Sequence, residues 1–349
     1  MIKKIALSSF RNFGSKVVEF SDKVTLIIGP NASGKTNILE SVFLLSTGRS
    51  FKAKVEEEMV NYKKDLARVK GLLSNKTILE AVVTRGLIDI GSERPEKVAR
   101  KKLMVNGVPK RLIDFSGNLK TVLFGPWDMD LVTESPSLRR KFLDTVLSQA
   151  DREYRRSILS YEKGVRQRNR LLFRIREEGI SRSQLSFWNQ LLIKNGDYIT
   201  GKREEFIEFI NKMHSLNSQK FQLEYDRSII SEGRLEQYKE EEVAAATTLV
   251  GPHRDDFSFK EESRDLSSFG SRGEQRMGIL WLKMAELAFI EEKSGEKPTL
   301  LLDDIFSELD HEHRDVVMKL TQNQQTIITT ADPHFVKGLK KVEKIELVS

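Results

Sequence analysis

An uncharged run, Val24-Thr25-Leu26-Ile27-Ile28, passes directly into Gly29-Pro30-Asn31-Ala32-Ser33-Gly34-Lys35-Thr36, and apolar residues then recur at Ile38, Val42 and Leu45. The first run has the composition of a strand buried on both faces, and the last segment has a helical period. The stretch between them fits G-x-x-x-x-G-K-[ST], a pattern that has physical meaning only between a strand and a helix. Its glycines let backbone N–H groups turn inward on phosphate oxygens, and the helix N-terminus adds partial positive charge. The expected nucleotide contacts are Gly29, Pro30, Asn31, Ala32, Ser33, Gly34, Lys35, Thr36 and Asn37. Lys35 would act on the β- and γ-phosphates of ATP, and the Thr36 hydroxyl would bind Mg²⁺.

Far along the chain, Leu300-Leu301-Leu302-Asp303-Asp304 reads as a buried strand ending in two acids. Such strands are common alone. Paired with the loop, Asp303 is expected to hold Mg²⁺ through water and Asp304 to orient or deprotonate the attacking water. Upstream of that strand, Ser271-Arg272-Gly273-Glu274-Gln275 opens a long helix. A serine, a glycine backbone and a helix start form a second anion-binding surface, although the same residues in isolation are simply a helix cap. Ser307-Glu308-Leu309-Asp310 follows the acidic strand. This order resembles that of the ABC-type ATPases, whose signature serine meets the γ-phosphate held by another protomer. The resemblance places Ser271, Gly273 and Glu274 in the nucleotide site of a partner copy, so that the site is complete only in a homodimer.

Between these segments the character of the chain changes twice. The first 125 residues alternate short apolar runs with turns, among them Asn106-Gly107, a type I′ hairpin signal. Ser135-Pro136 then looks like a helix start, and a helical pattern runs to about Glu178. Tyr154, Ile158, Tyr161, Val165, Leu172 and Ile175 keep a heptad rhythm, with Arg168 at the missing position. A second helix repeats the rhythm through Trp188, Leu192, Asn195, Ile199, Phe206, Phe209 and Met213, interrupted by Lys202. The two should form an antiparallel hairpin whose arms are at most about 65 Å long. The expected fold is α/β: an ABC-type ATPase lobe of residues 1–125 and 242–349, split by an inserted, mainly helical, coiled-coil-like lobe of residues 126–241.

Composition narrows the partners. The chain carries no cysteine, which excludes disulfides and thiolate chemistry and suits a reducing cytoplasm. No run is long and apolar enough for a bilayer span, and the first residues lack the apolar stretch of a signal peptide. The net charge is +7. Between Pro136 and Arg182 there are 13 Lys/Arg and 6 Asp/Glu, so the whole excess lies in that segment. Arg152, Arg156, Lys163, Arg166, Arg170 and Arg174 recur there at helical spacing, opposite the heptad seam. The stripe is either a solvated face or a surface for a phosphate backbone, with Arg152, Arg156, Arg166, Arg170 and Arg174 as the DNA-binding candidates.

Further stretches resemble the RecF family of bacterial recombination-repair ATPases, short-armed relatives of SMC and Rad50. They are Phe10-Arg11-Asn12-Phe13, Gly48-Arg49-Ser50, Ser135-Pro136 through Asp144, Gln167-Arg168-Asn169, Gly251-Pro252-His253-Arg254-Asp255-Asp256 and Leu301 to Asp310. The resemblance implies a weak, DNA-stimulated ATPase used as a switch in the cytoplasm. ATP-driven dimerisation would grip duplex DNA at single-strand gaps. With RecO and RecR the dimer would help load RecA onto strands coated by single-strand-binding protein. The resemblance also makes Arg11 a candidate for a nucleotide phosphate, while His253 and Arg254 read as buttresses of a turn. Pro126-Trp127-Asp128 stands where the family has Pro-Glu-Asp, and Asp128 is the substitute for the glutamine of ABC transporters. A transporter ATPase shares the core but not the basic arms, and a small-molecule kinase leaves Ser271–Gln275 unexplained.

Overall fold

The computed structural model describes residues 1–88, 96–213, 215–216, 219–307, 309, 311–332, 334 and 342–347. It divides into two compact units, Met1–Asp128 with Glu286–Ser349, and Met129–Ala285.

The first unit is built on a five-stranded parallel sheet in the order Thr121–Phe124, Thr299–Asp303, Thr326–Thr330, Val24–Ile28, Val342–Glu346. Its inner strands are buried along almost every residue, which is why they read as continuous apolar runs rather than as alternation. Val24–Ile28 and the acidic strand thus share one sheet, as expected, with Thr326–Thr330 between them. The helix Lys35–Thr47 is buried nearly all round because it touches this sheet and a second, antiparallel one. That second sheet runs Phe13–Glu19, Ile2–Phe10, Leu66–Leu73, Ile78–Thr84, Lys101–Val105, Val108–Lys110. Leu66–Leu73 alternates strictly between exposed and buried, as a sheet with one wet face requires. Asn106 and Gly107 both have positive φ, 51° and 78°, and Val105 pairs with Val108, so the hairpin signal was read correctly. The buried Gln325 side chain ties the chain's two ends together. It donates to the Ile2 carbonyl at 2.6 Å and to the Ser21 carbonyl at 2.9 Å, and accepts from the Ile2 N–H at 2.9 Å.

In the second unit the helical pattern from Pro136 to Glu178 is two helices, not one. Pro136–Ala150 ends at Asp151, whose carboxylate accepts from the N–H groups of Glu153 and Tyr154 and starts Arg152–Glu178. The 27-residue arm is therefore about 40 Å long, shorter than the expected limit. It packs antiparallel on Ser186–Asn211: a Cβ on Gly164 would meet Leu192, and a Cβ on Gly196 would meet Tyr161. Of the heptad seam, Tyr154, Ile158, Tyr161, Leu172, Ile175, Leu192, Ile199 and Phe206 are buried while Val165, Trp188, Asn195, Phe209 and Met213 are half-buried, and the position left to Arg168 is filled by an ion pair with Glu242.

The return to the first unit comes at Glu286, not near residue 242. Strand Phe221–Asp226 pairs along its whole length with Asp256–Glu261, and Trp281 of helix Arg272–Ser294 packs on Phe221. These contacts hold 242–285 with the arms. Among the described residues, no helix is long and apolar enough to cross a membrane.

Candidate nucleotide site

Gly29 and Gly34 are positions that only glycine fits. A Cβ at Gly29 would lie 2.7 Å from Ser33 Oγ, and Gly34 has φ +101° with Phe13 at 2.5 Å from its would-be Cβ. The loop they shape ends in Lys35, whose buried ammonium donates to the carbonyls of Gly29 at 2.8 Å and Pro30 at 3.0 Å. An ammonium has three donors, so one remains for a phosphate oxygen. Among the described residues, Ser33 Oγ, buried in the same loop, has no hydrogen-bond partner, the condition expected of a group that meets a ligand.

The acidic strand brings Asp303 to the loop. Thr36 Oγ1 lies 2.8 and 3.0 Å from its two carboxylate oxygens, and Thr329 Oγ1 donates to it at 2.6 Å. Burial pushes the Asp303 carboxyl up, while hydrogen bonds from Thr329 and Thr36 pull it back. A hydroxyl and a carboxylate side by side form a hard-oxygen pair suited to Mg²⁺, which keeps several ligands from water and phosphate. Asp304, expected to work on the attacking water, adopts φ 49°; its N–H donates to the Thr329 carbonyl at 3.1 Å. Among the described residues its carboxylate accepts no hydrogen bond.

Two candidate contacts already have partners within the chain. The Arg11 guanidinium is bidentate on the fully buried Glu40, at 2.8 and 2.6 Å. Asn12, from the same turn, is the residue that reaches the loop, donating to the Ser33 carbonyl at 3.2 Å and accepting from Asn37 at 2.8 Å. Sequence reasoning quoted Asn12 only as part of a motif, and its neighbour's charge drew the attention. Glu274 is the second. It accepts from the Ser271 N–H at 2.7 Å while Ser271 Oγ accepts from the Glu274 N–H at 3.3 Å, a capping box. The box holds Ser271 in place at the helix start. Ser271 and Gly273 remain exposed at the helix start.

Asp128 is buried, and its carboxylate accepts from the Gly125 N–H at 2.8 Å. Trp127 stacks on Phe51 at 5.0 Å, and Phe51 meets Phe43 edge-on at 5.5 Å. This stack fixes the loop that carries Lys52, whose ammonium lies 3.3 Å from Asn37 Oδ1. Of Ser307–Asp310, Glu308 and Asp310 lie outside the described residues.

The arginine stripe faces outward as expected: Arg152, Arg156, Lys163, Arg166, Arg170 and Arg174 are all exposed. Arg156 pairs with Glu153 and Arg174 with Glu178 along the helix. Among the described residues, Arg166 and Arg170 make no ion pair.

Beneath the arms, Arg203 is 1% exposed and ion-paired with Asp144 and Asp255, both at 2.8 Å. His253 Nε2 donates to the Thr248 carbonyl at 3.0 Å, which leaves Nδ1 of the neutral ring to accept from Tyr161 Oη at 2.8 Å, a buttress as its sequence context suggested. Burial lowers its pKa to about 4. The unfolded chain, with histidine near 6.5, binds the extra proton first, so stability falls as pH drops from about 6.5 to about 4, by up to about 1.4 kcal/mol per pH unit. Urea midpoints measured across that range should lose this component in a His253→Gln variant.

The model of the RecF/RecN/SMC N-terminal domain matches residues 1–349. The DNA replication and repair protein RecF of Ligilactobacillus salivarius is 34% identical over 94% of this chain and 90% of its own length. The chain belongs to the RecF family. RecF of Lachnoclostridium phytofermentans is 33% identical, covering 99% of this chain and 97% of that relative. Among solved structures, the recombination mediator protein RecF with ATPrS, of the RecFOR pathway, superposes with a TM-score of 0.87 at 32% identity, over 99% of this chain and 96% of that one. An Smc head bound to the winged-helix domain of ScpA shares the fold alone, at 16% identity and a TM-score of 0.51.

Proposed function

We propose that this chain is an ATP-driven DNA clamp of recombinational repair. The observation that carries the reading is the junction of Thr36 with Asp303, which joins the glycine loop to the acidic strand at 2.8 Å. Lys35 and the loop N–H groups hold the triphosphate. Mg²⁺, held by Thr36 and Asp303, would neutralise charge between the β- and γ-phosphates. Asp304 orients the water. Ser271 of a second copy closes over the γ-phosphate, so ATP holds two copies together and hydrolysis releases them. Relatives named for DNA replication and repair, and a solved RecF of the RecFOR pathway, support a setting in recombinational repair; there the dimer would grip duplex DNA at single-strand gaps and work with RecO and RecR to load RecA. Hydrolysis is slow and quickened by DNA.

Sizing in solution tests this. Wild-type protein should dimerise with ATP and Mg²⁺ and not without them. Ser271→Arg should bind ATP as a monomer yet fail to dimerise, because the new side chain fills the space of the γ-phosphate. Asp304→Asn should accumulate the dimer. A Ser271→Arg protein that still dimerises with ATP sinks the composite site.

The arms supply the DNA surface in this reading. Replacing Arg166, Arg170 and Arg174 by alanine should weaken duplex binding and lower the salt slope of log K by about 2 to 3, since each lost phosphate contact removes roughly 0.9. Equal affinities and slopes in a titration from low to high salt would leave the stripe a solvated face.

A further inference from the structure

Pro126-Trp127-Asp128 departs from the family pattern at Trp127, and the fold gives that indole a fixed seat. Phe124, at the end of its strand, pairs with Leu302, which puts Gly125 level with Asp303. The indole folds back over Gly125: a Cβ there would lie 2.5 Å from the ring, so any larger residue would displace it. The buried Asp128 carboxylate closes the same turn by accepting from the Gly125 N–H. Held in this way, the indole stacks on Phe51 at 5.0 Å and 25°. Phe51 in turn meets Phe43 edge-on, and Phe43 belongs to the helix Lys35–Thr47 that begins at the glycine loop.

The residue after Phe51 is Lys52. Ser50 Oγ accepts from the N–H groups of Lys52, at 2.9 Å, and Ala53, at 2.7 Å, and donates to the Glu40 carboxylate. The backbone at Lys52 is thus fixed by a hydrogen-bonded turn on one side and by the aromatic stack on the other. Lys52 is exposed, yet its ammonium reaches back to Asn37 Oδ1, the residue after Thr36. Burial pushes the Asp303 carboxyl up, and the Lys52 charge is among the influences that pull it back. Among the described residues Lys52 makes no ion pair, so its charge is not already spent on a carboxylate. A second ammonium, besides Lys35, therefore stands beside the pair Thr36 and Asp303.

We infer that Trp127 is a positioning residue for ATP turnover: by stacking on Phe51 it holds Lys52 where the ammonium meets the phosphates beside Thr36 and Asp303. The inference rests on the nucleotide site proposed above. The indole itself touches no nucleotide, and its effect is carried by the backbone of Phe51 and Lys52. A lysine ammonium rides on a flexible four-carbon stem, so a loose backbone beneath it would leave the charge away from the site for most of the time. Fixing the base of the stem raises the fraction of molecules in which the charge is already in place.

The test measures steady-state ATP hydrolysis and the binding of a fluorescent ATP analogue with Mg²⁺. The proteins are wild type, Trp127→Ala, Trp127→Phe, Lys52→Met, the double variant Trp127→Ala with Lys52→Met, and Lys35→Ala as a control on the site. Trp127→Ala and Lys52→Met should each lower kcat/KM by about tenfold and weaken analogue binding, the order of effect of a misplaced charged contact. Trp127→Phe keeps a stacking ring and should stay within about twofold of wild type. The double variant should fall no further than Lys52→Met, because both changes remove the same contact. A purely structural indole would instead give losses that multiply. That result, or a Trp127→Ala protein with wild-type kcat/KM and affinity, overturns the positioning role while the nucleotide site stands. If Lys35→Ala binds the analogue like wild type, the site itself is wrong and the inference falls with it.

Discussion

Lys35→Ala is expected to raise the dissociation constant for ATP by about a hundredfold or more, enough to abolish binding at millimolar nucleotide. The reason lies in how the ammonium is held. It is buried and fixed by the carbonyls of Gly29 and Pro30, so it meets the triphosphate already desolvated and oriented. A charge-assisted hydrogen bond in such a setting contributes roughly 1.5–3 kcal/mol, and the truncation also leaves two carbonyls of the loop without their donor. Because Lys35 packs on the loop and not in the apolar core, the thermal midpoint without nucleotide should move little. Titration with a fluorescent ATP analogue reads the first effect and thermal unfolding the second. A variant that binds ATP normally would remove the glycine loop from the nucleotide site.

Arg203→Leu is expected to destabilise the arm unit by about 3–5 kcal/mol, the usual result of removing one partner from a buried ion pair. Arg203 serves Asp144 and Asp255 together and also donates to Tyr154 Oη and the Pro252 carbonyl. Asp255 is fully buried, and beyond Arg203 it accepts from Tyr225 Oη and the Ser228 N–H. Without the guanidinium its charge lies in apolar surroundings with neutral donors alone. The double variant Arg203→Leu with Asp255→Leu should recover part of the loss, because the fully buried carboxylate is gone and the one left behind, Asp144, is partly exposed. Chemical unfolding followed by helical circular dichroism measures both. A single variant as stable as wild type would mean that water replaces the arginine.

The reach of sequence reasoning followed the physics of each signal. Gly29–Thr36 and Asn106-Gly107 were legible because local backbone geometry demands those residues, and Leu300–Asp304 because a fully buried strand reads as an unbroken apolar run whose acids gain meaning beside the loop. The heptad seam was legible through its period, and Arg168 stood out as the break in it. Asp151 was not: a helix start inside an amphipathic stretch leaves the period almost unchanged, and only the capping bonds reveal it. The boundary at Glu286 was hidden because strand Asp256–Glu261 chooses its partner by long-range pairing with Phe221–Asp226. The partner of Arg11 was hidden for a related reason. Its charge suits phosphate, but Glu40, which claims it, looks from sequence like an ordinary helix-surface acid.

The strand order of the parallel sheet has a consequence for synthesis. Val24–Ile28 lies between Thr326–Thr330 and Val342–Glu346, so the strand that launches the glycine loop gains its neighbours roughly 300 residues after it is made. At about 5–20 residues per second, the nascent N-terminal segment waits some 15–60 s for them. Met129–Ala285 has no such dependence, for its strand partners all lie within it. On the ribosome the arms can fold while the nucleotide unit is still open, and a chain cut short before Thr326 carries finished arms without a switch to drive them.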